Sequence, residues 1–170
     1  MRVLALDPGY ERLGIAVLEK ETGGKERLIF SECFQTPKTS QFIDRLHAVG
    51  VELRKIIKEY SPQAVAIESL FFTNNQKTAM HVAEVRGVIM YEAMNHKLQF
   101  AEYTPGQIKN AVTGDGRADK KQIFSMVTKL VKIDKKVAFD DEYDAIAIGI
   151  TFLASEGYPQ ASASAFAQKK

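Results

Sequence analysis

Residues 3–18 read VLALDPGYERLGIAVL, and this stretch decides how the fold begins. Two short apolar runs, residues 3–6 and 13–18, flank an Asp-Pro-Gly turn sequence, with too few residues between them for a crossover helix. The pattern therefore predicts a hairpin of two antiparallel strands. A third strand is predicted over residues 28–35, after a turn that contains two glycines.

The rest of the chain alternates helical and strand patterns. Apolar residues recur at steps of three and four from Gln41 to Tyr60, which predicts an amphipathic helix. The continuous apolar run at residues 64–67 is typical of a strand covered on both faces of a parallel sheet. Further elements are predicted as a helix at 76–95, a strand at 98–103, an N-cap at Thr104 with Pro105 in the first turn, and helices near 107–112, at 119–131 and from Asp141 onward.

This order of elements predicts an α/β fold with a mixed five-stranded sheet and helices on both faces. The chain has 170 residues, of which 45% are hydrophobic and 26% charged. A chain of that size buries about 70% of its unfolded surface, so it needs no disulfide or structural metal to fold. We expect one domain over residues 1–156, followed by a disordered tail rich in Ala and Ser at residues 157–170.

The composition also bears on the compartment. Cys33 is the only cysteine, which excludes an intramolecular disulfide, and we expect it to be buried in a strand. The sequence shows no signal-peptide pattern and no apolar run long enough to cross a membrane. These features predict a cytoplasmic protein without a membrane partner.

Four acidic side chains are predicted to approach one another at one edge of the sheet. Asp7 comes just past the first strand and Glu68 just past the fourth, and these two strands would be neighbours. Asp141 and Asp144 open the last helix and share one face of it. Crowded carboxylates repel unless a cation lies between them, and Mg²⁺ prefers oxygen ligands. A pair of such ions can promote phosphoryl displacement, so the pattern indicates a metal-dependent phosphoryl-transfer site.

Each acid also has an ordinary structural explanation. Asp141 and Asp144 favour a helix N-terminus and its dipole, and Asp7 is a common residue before a turn. Glu68 is harder to explain in this way, because a carboxylate at the end of a buried strand needs a partner. Taken singly, the four positions do not separate catalysis from structure.

Several segments together form a specific pattern of motifs. They are residues 6–9 (LDPG), 66–68 (AIE), 141–148 (DEYDAIAI), and a basic segment at 104–109 (TPGQIK) and 114–123 (GDGRADKKQI). In order and spacing they resemble the RuvC family of Holliday junction resolvases. The resemblance implies a ribonuclease-H-like fold, a homodimer, a branch-migration helicase as partner, and Mg²⁺-dependent paired nicking of a four-way DNA junction.

The resemblance also implies roles for individual residues. The metal-binding catalytic acids would be Asp7, Glu68, Asp141 and Asp144, holding two Mg²⁺ ions or Mn²⁺ in their place. Lys120 would act in catalysis and in DNA binding. Lys109 would also bind DNA, and Phe71 would contact bases near the crossover. Apart from the resemblance, further DNA contacts are expected from polar residues beside Phe71, from two glycines whose amides could approach a phosphate, and from cations of the basic segment: Asn74, Asn75, Lys77, Gly114, Gly116, Arg117 and Lys121. Two departures are mild: Ser69 replaces a frequent Gln, and Glu-Val-Arg-Gly at residues 84–87 replaces Gln-Ala-Arg-Gly.

The charge distribution agrees with a nucleic-acid enzyme. The formal net charge is only +2, yet residues 105–137 contain eight lysines and arginines against three aspartates, so this segment is +5 and the remainder is −3. A local basic stretch beside carboxylates suits phosphate binding next to a metal site.

Three other function classes stay open from the sequence. A ribonuclease-H-type or ribosomal-RNA-processing nuclease is the nearest. An actin-like ATPase also begins with an Asp-x-Gly hairpin, but it would need a second glycine-rich hairpin and an adenosine-binding half. A non-catalytic junction-binding scaffold would be favoured by the loss of an acid, and all four acids are present.

Overall fold

The computed structural model describes residues 1–9, 11–21, 23–69 and 76–155, without the side chains of residues 76–78. The predicted elements and most of the predicted site fall within these ranges. Outside the described residues lie Phe71, Asn74, Asn75, the side chain of Lys77 and the tail at 157–170, whose assignments stay predictions.

Within the described residues, five strands form one mixed sheet. They are β1 (Arg2–Asp7), β2 (Arg12–Glu19), β3 (Arg27–Gln35), β4 (Ala64–Glu68) and β5 (Gln99–Tyr103). The spatial order is β3-β2-β1-β4-β5. The first three strands pair antiparallel, whereas β4 pairs parallel with both β1 and β5. The predicted five-stranded mixed sheet is confirmed.

Helices cover both faces of the sheet, as predicted. They are α1 (Phe42–Tyr60), α2 (Gln76–Asn95), α3 (Pro105–Thr113), α4 (Lys120–Leu130) and α5 (Asp140–Ser155). Buried residues of α1 and α2 pack on one face, and those of α3, α4 and α5 pack on the other. In the part of the chain that the structure describes, no helix is both long and apolar enough to span a membrane.

The two faces of β1 differ in the size of their side chains. Leu4 and Leu6 pack towards α1 and α2, whereas Val3 and Ala5 face α5. On the second face α5 lies very close to the sheet, because a Cβ at Gly149 would be 2.3 Å from Leu18 Cδ1 and 3.3 Å from Ala5 Cβ. Small residues on both partners therefore let α5 lie directly on β1 and β2.

Side-chain caps determine where the two helices of the basic segment begin. Thr104 Oγ1 accepts a hydrogen bond from the Gln107 amide at 3.2 Å, and the Gln107 side chain accepts from the Thr104 amide at 2.8 Å. Asp119 and Gln122 form the same reciprocal pair at the start of α4. The predicted N-cap at Thr104 is confirmed, and the first lysine of α4, Lys120, is held at a defined position.

Cys33 corrects one expectation. It lies on β3 as predicted, but it is only half-buried, because β3 is an edge strand of the sheet. Burial, with a smaller contribution from the charge of Asp141, raises the pKa of the Cys33 thiol to about 11. The thiol is therefore protonated at neutral pH, which argues against a nucleophilic role.

Candidate active site

Two of the predicted acids end neighbouring parallel strands. Leu6 on β1 pairs in register with Ile67 on β4, so Asp7 and Glu68 follow at the same edge of the sheet. Parallel strands place their carboxyl ends together, and ligands of α/β sheets bind at such an edge. The topology predicted from sequence thus brings these two carboxylates side by side.

The other two acids reach the same edge from the first turn of α5. A close approach makes this possible: Gly14 pairs with Asp7 across the β1–β2 ladder, and a Cβ at Gly14 would be 1.9 Å from the carbonyl oxygen of Asp141. It would also be 3.1 Å from Asp7 Cβ. The lack of a side chain at Gly14 therefore lets α5 begin against β2, with Asp141 and Asp144 next to Asp7. Sequence reasoning missed this role of Gly14.

The four acids form one electrostatic cluster. Burial, together with the charges of Asp144, Glu68 and Asp141, raises the pKa of Asp7 to about 7. Burial is also the largest cause of the raised pKa of Glu68, to which Asp144 adds. The pKa of Asp144 is raised by burial against the opposing charge of Lys120. The structure therefore brings together the four acids and the lysine that the sequence singled out.

Two basic side chains balance the charge of this cluster. Lys120 Nζ lies 3.1 Å from Asp140 Oδ2 and 3.6 Å from Asp144 Oδ2. Arg12 Nε lies 3.2 Å from Asp141 Oδ2. That oxygen is buried and has no partner with hydrogen-bond geometry among the described residues, so its contact with Arg12 is purely an ion pair. Arg12 was missed from sequence; its one signal is a basic residue shortly after the Asp-Pro-Gly turn.

The donor set fits a hard divalent cation. Carboxylate oxygens are the ligands that Mg²⁺ prefers. Asp141 Oδ2, which accepts no hydrogen bond among the described residues, has a lone pair available for such an ion. Among the side chains that the structure describes, no three acidic, imidazole or thiol groups already adopt a metal-binding arrangement. Asp141 and Asp144 are paired instead with Arg12 and Lys120. A cation at this edge would take over the role of those two side chains in neutralising the cluster.

The sequence and fold of this chain are similar to those of known proteins. A sequence model described as "Crossover junction endodeoxyribonuclease RuvC" matches residues 3–152. The chain belongs to the RuvC family. A relative from Thermosipho melanesiensis, with the same description, is 45% identical over 148 residues, which cover 87% of this chain and 94% of the relative.

Solved structures of the RuvC family share the fold. The Thermus thermophilus RuvC structure matches with a TM-score of 0.81 and 27% identity, covering 91% of this chain and 95% of that one. A structure of T. thermophilus RuvC in complex with Holliday junction substrate matches with a TM-score of 0.81 and 24% identity, covering 91% and 94%. The expected ribonuclease-H-like fold is confirmed.

A buried ion pair holds the start of α5 in this RuvC-family chain. Glu142 is buried and lies 2.6 Å from Lys135 Nζ, and it accepts a hydrogen bond of 2.6 Å from Ser31 Oγ on β3. Lys135 also donates to the Ser31 carbonyl. These contacts connect the first turn of α5 to β3 at Glu142, which lies between Asp141 and Asp144 in the sequence. The two acids are thereby oriented by their neighbour in sequence.

The predicted DNA-binding residues of the α3–α4 region are exposed. They are Gly116, Arg117, Lys120 and Lys121. Lys120 connects this segment to the acidic cluster, because its Nζ lies 3.6 Å from Asp144 Oδ2. The exposed basic segment therefore adjoins the carboxylates at Lys120.

Gly114 and Lys109 have more specific positions. Gly114 ends α3 with a φ of 79°, and its amide donates to the Asn110 carbonyl at 2.8 Å. The positive φ explains why glycine is needed at this position, and the amide is used in the helix cap. The DNA-binding role of Gly114 stays a prediction. Lys109 lies close enough to Glu68 for its charge to oppose the raised pKa of that carboxyl.

Asp7→Asn is expected to stabilise the metal-free protein at about pH 8 and to lose this effect towards pH 4. The pKa of Asp7 rises from 3.8 to about 7 on folding, so above that pH the folded chain must hold a buried charge. The resulting destabilisation is absent below the ordinary pKa and grows as the pH rises towards 7. Urea unfolding in EDTA at both pH values measures the difference between variant and wild type. An equal difference at the two pH values would contradict the assigned burial of Asp7.

Proposed function

We propose that this chain resolves four-way (Holliday) DNA junctions in recombination and repair, by paired hydrolytic nicks that leave 5′-phosphate and 3′-hydroxyl ends. The observation that supports this most strongly is the half-buried cluster of Asp7, Glu68, Asp141 and Asp144, next to the exposed Lys120, in a chain of the RuvC family. Neither feature alone would favour a nuclease as strongly. Together, the acids would act at the scissile phosphate and the basic residues would bind the flanking DNA strands.

The four carboxylates would hold divalent cations, with two Mg²⁺ ions proposed and Mn²⁺ as a substitute. When bound, these ions activate water and neutralise charge on the phosphate. Partial burial of Asp7 and Glu68 lowers their exposure to water, which strengthens electrostatic interactions there. Lys120, which lies between Asp140 and Asp144, is placed to contact the phosphate as its charge grows.

The chain's basic residues would position the DNA backbone. Lys109 lies near Glu68, whereas Arg117 and Lys121 are exposed on the same segment as Lys120. Each contact of this kind is independent of base sequence and weakens with salt. Asn74, Asn75 and Lys77 remain part of the proposal as polar residues beside Phe71, whose base contact rests on the family resemblance.

A homodimer would supply two such sites for the paired nicks. Met80, Gly87, Met90, Tyr91 and Met94 are exposed along one side of α2, and the side chains of Met80, Tyr91 and Met94 are each more than 60% exposed. Spacings of three, four and seven residues place them on one helix face, the pattern of an apolar helix interface. Sedimentation is expected to give twice the 19.0 kDa chain mass. We further propose a cytoplasmic location and a branch-migration helicase as partner.

A substrate comparison tests the proposed function. The purified chain is incubated with a synthetic four-way junction, with a linear duplex of the same sequence and with an RNA–DNA hybrid, each with Mg²⁺ or with EDTA. We expect symmetric nicks in the junction only, and only with Mg²⁺. Preferential cutting of the hybrid would indicate a ribonuclease-H-type enzyme. Junction binding without cutting would indicate a non-catalytic scaffold.

A further inference from the structure

An almost fully buried arginine on α2 touches the end of β4. Arg86 is 9% exposed. One guanidinium nitrogen, Nη1, donates to the carbonyl oxygen of Glu68, and Nη2 donates to Glu102 Oε1 at 2.6 Å. A single side chain therefore joins α2, the last residue of β4 and the neighbouring strand β5.

The packing of α2 alone does not require an arginine at this position. Its other buried contacts with the sheet are apolar, from Val85, Ile89 and Ala93. Burying a guanidinium is unfavourable unless it is paired and hydrogen-bonded, so an apolar residue would suit the helix–sheet contact equally well. What the arginine adds is a directed contact with the backbone of Glu68.

Among the residues that the structure describes, the other hydrogen bonds at the end of β4 come from the sheet. Glu68 is its last residue and pairs with Tyr103 of β5. The Ser69 amide then donates to the Tyr103 carbonyl at 2.8 Å, and Ser69 Oγ approaches the same oxygen at 3.1 Å. All of these contacts come from β5. Arg86 contributes a restraint from a different layer of the fold, at the residue whose side chain enters the acidic cluster.

We propose that Arg86 is a positioning residue that holds Glu68 in place for cleavage by fixing the strand end between α2 and Glu102. The proposal rests on the proposed function, in which Glu68 is a metal-binding acid. Because the exposed apolar face of Met80, Met90 and Met94 is also on α2, the same helix connects the proposed subunit contact to the acidic cluster. The charge of Arg86 further opposes the raised pKa of the Glu68 carboxyl.

Arg86→Met and Arg86→Lys test the proposal, with Arg54→Met as a matched control. Arg54 on α1 also forms an ion pair with a glutamate of α2, since its Nε lies 3.0 Å from Glu92 Oε1. This pair does not involve Glu68. We expect kcat for junction cleavage to fall about 10- to 100-fold in Arg86→Met, the range for outer partners of metal ligands. KM should stay within about twofold, since no DNA contact is removed. Arg86→Lys should recover part of kcat, and Arg54→Met should keep it.

A second readout uses the protein without DNA. Mn²⁺ binding is followed by electron paramagnetic resonance, and Arg86→Met is expected to bind Mn²⁺ about tenfold more weakly. Glu68→Gln serves as the reference for direct loss of a metal ligand. The mass of each variant in solution reports dimerisation, and its unfolding midpoint reports folding. If Arg86→Met fails to fold, Glu102→Gln, which leaves the arginine in place, should still weaken Mn²⁺ binding and kcat in the same direction.

The outcomes separate the proposal from the proposed function. If Arg86→Met folds and has wild-type kcat and Mn²⁺ affinity, the positioning role is overturned. If Arg86→Met does not fold, wild-type values in Glu102→Gln overturn it instead. A rise in KM with unchanged kcat would also overturn it, since it would indicate a DNA contact instead. If the wild-type chain does not cut junctions but Arg86→Met still weakens Mn²⁺ binding, the positioning role stands and the junction substrate is wrong.

Discussion

Asp7→Asn is expected to abolish cleavage of a four-way junction while junction binding persists. Asp7 lies at the centre of the acidic cluster, where its pKa responds to Asp144, Glu68 and Asp141. An amide at this position keeps the shape of the side chain but loses the charge that a divalent cation needs. Since the metal supplies several kcal/mol of charge stabilisation, the rate is expected to fall on the order of 10³-fold.

A conservative control exists on α1. Asp44→Asn makes the same chemical change at an exposed carboxylate in the first turn of that helix, and the charge of Asp44 is not among those that shift the pKa values of Asp7, Glu68 and Asp144. It should cut junctions at the wild-type rate, so a loss specific to Asp7 cannot come from the change in net charge. Binding is measured by gel shift in Ca²⁺ and cleavage by single-turnover kinetics in Mg²⁺. Undiminished cleavage by Asp7→Asn would remove the acidic cluster from the mechanism.

Gly14→Ala is expected to impair both stability and cleavage. The new Cβ would lie 1.9 Å from the carbonyl oxygen of Asp141, which is backbone and cannot rotate away, so the start of α5 must shift. Overpacking of this kind costs about 1 to 3 kcal/mol of unfolding free energy, and sometimes more. A misplacement of about 1 Å in a catalytic group can cost on the order of 10²-fold in rate. Urea unfolding and junction cleavage measure the two effects.

Gly106→Ala provides the contrasting substitution. A Cβ there would have its nearest neighbour at 4.0 Å, and the residue lies in the first turn of α3. Its unfolding free energy should be unchanged or higher by about 0.5 to 1 kcal/mol, because alanine favours the helical backbone. If Gly14→Ala matches Gly106→Ala in stability and in rate, then α5 does not approach β2 as closely as the structure places it.

The elements of this fold could be predicted from local patterns. Periodicity located the strands and helices, and the order of elements predicted that β1 and β4 are parallel neighbours. That one topological inference was sufficient to bring Asp7 and Glu68 to the same edge. The predicted burial of Cys33 was wrong because β3 forms the edge of the sheet. The composition of a strand does not reveal whether it lies at an edge.

The partners of the acids could not be predicted in the same way. Arg12 belongs to the hairpin and Arg86 to a helix in the middle of the chain, yet they contact Asp141 and the Glu68 backbone. Neither arginine differs in its local pattern from an ordinary exposed one. Their contacts exist because α5 and α2 cover opposite faces of the sheet and both reach the edge where β1 and β4 end.

The sequence by itself therefore determined the order of elements and the four acids. Both follow from short-range periodicity and from sequence motifs that can be recognised without knowledge of the packing. Only the tertiary structure decided how near the acids come to one another and which cations balance them. The physical reason is that a close approach such as that of Gly14 to Asp141 depends on how a helix seats on a twisted sheet, and this is a property of residues far apart in the chain.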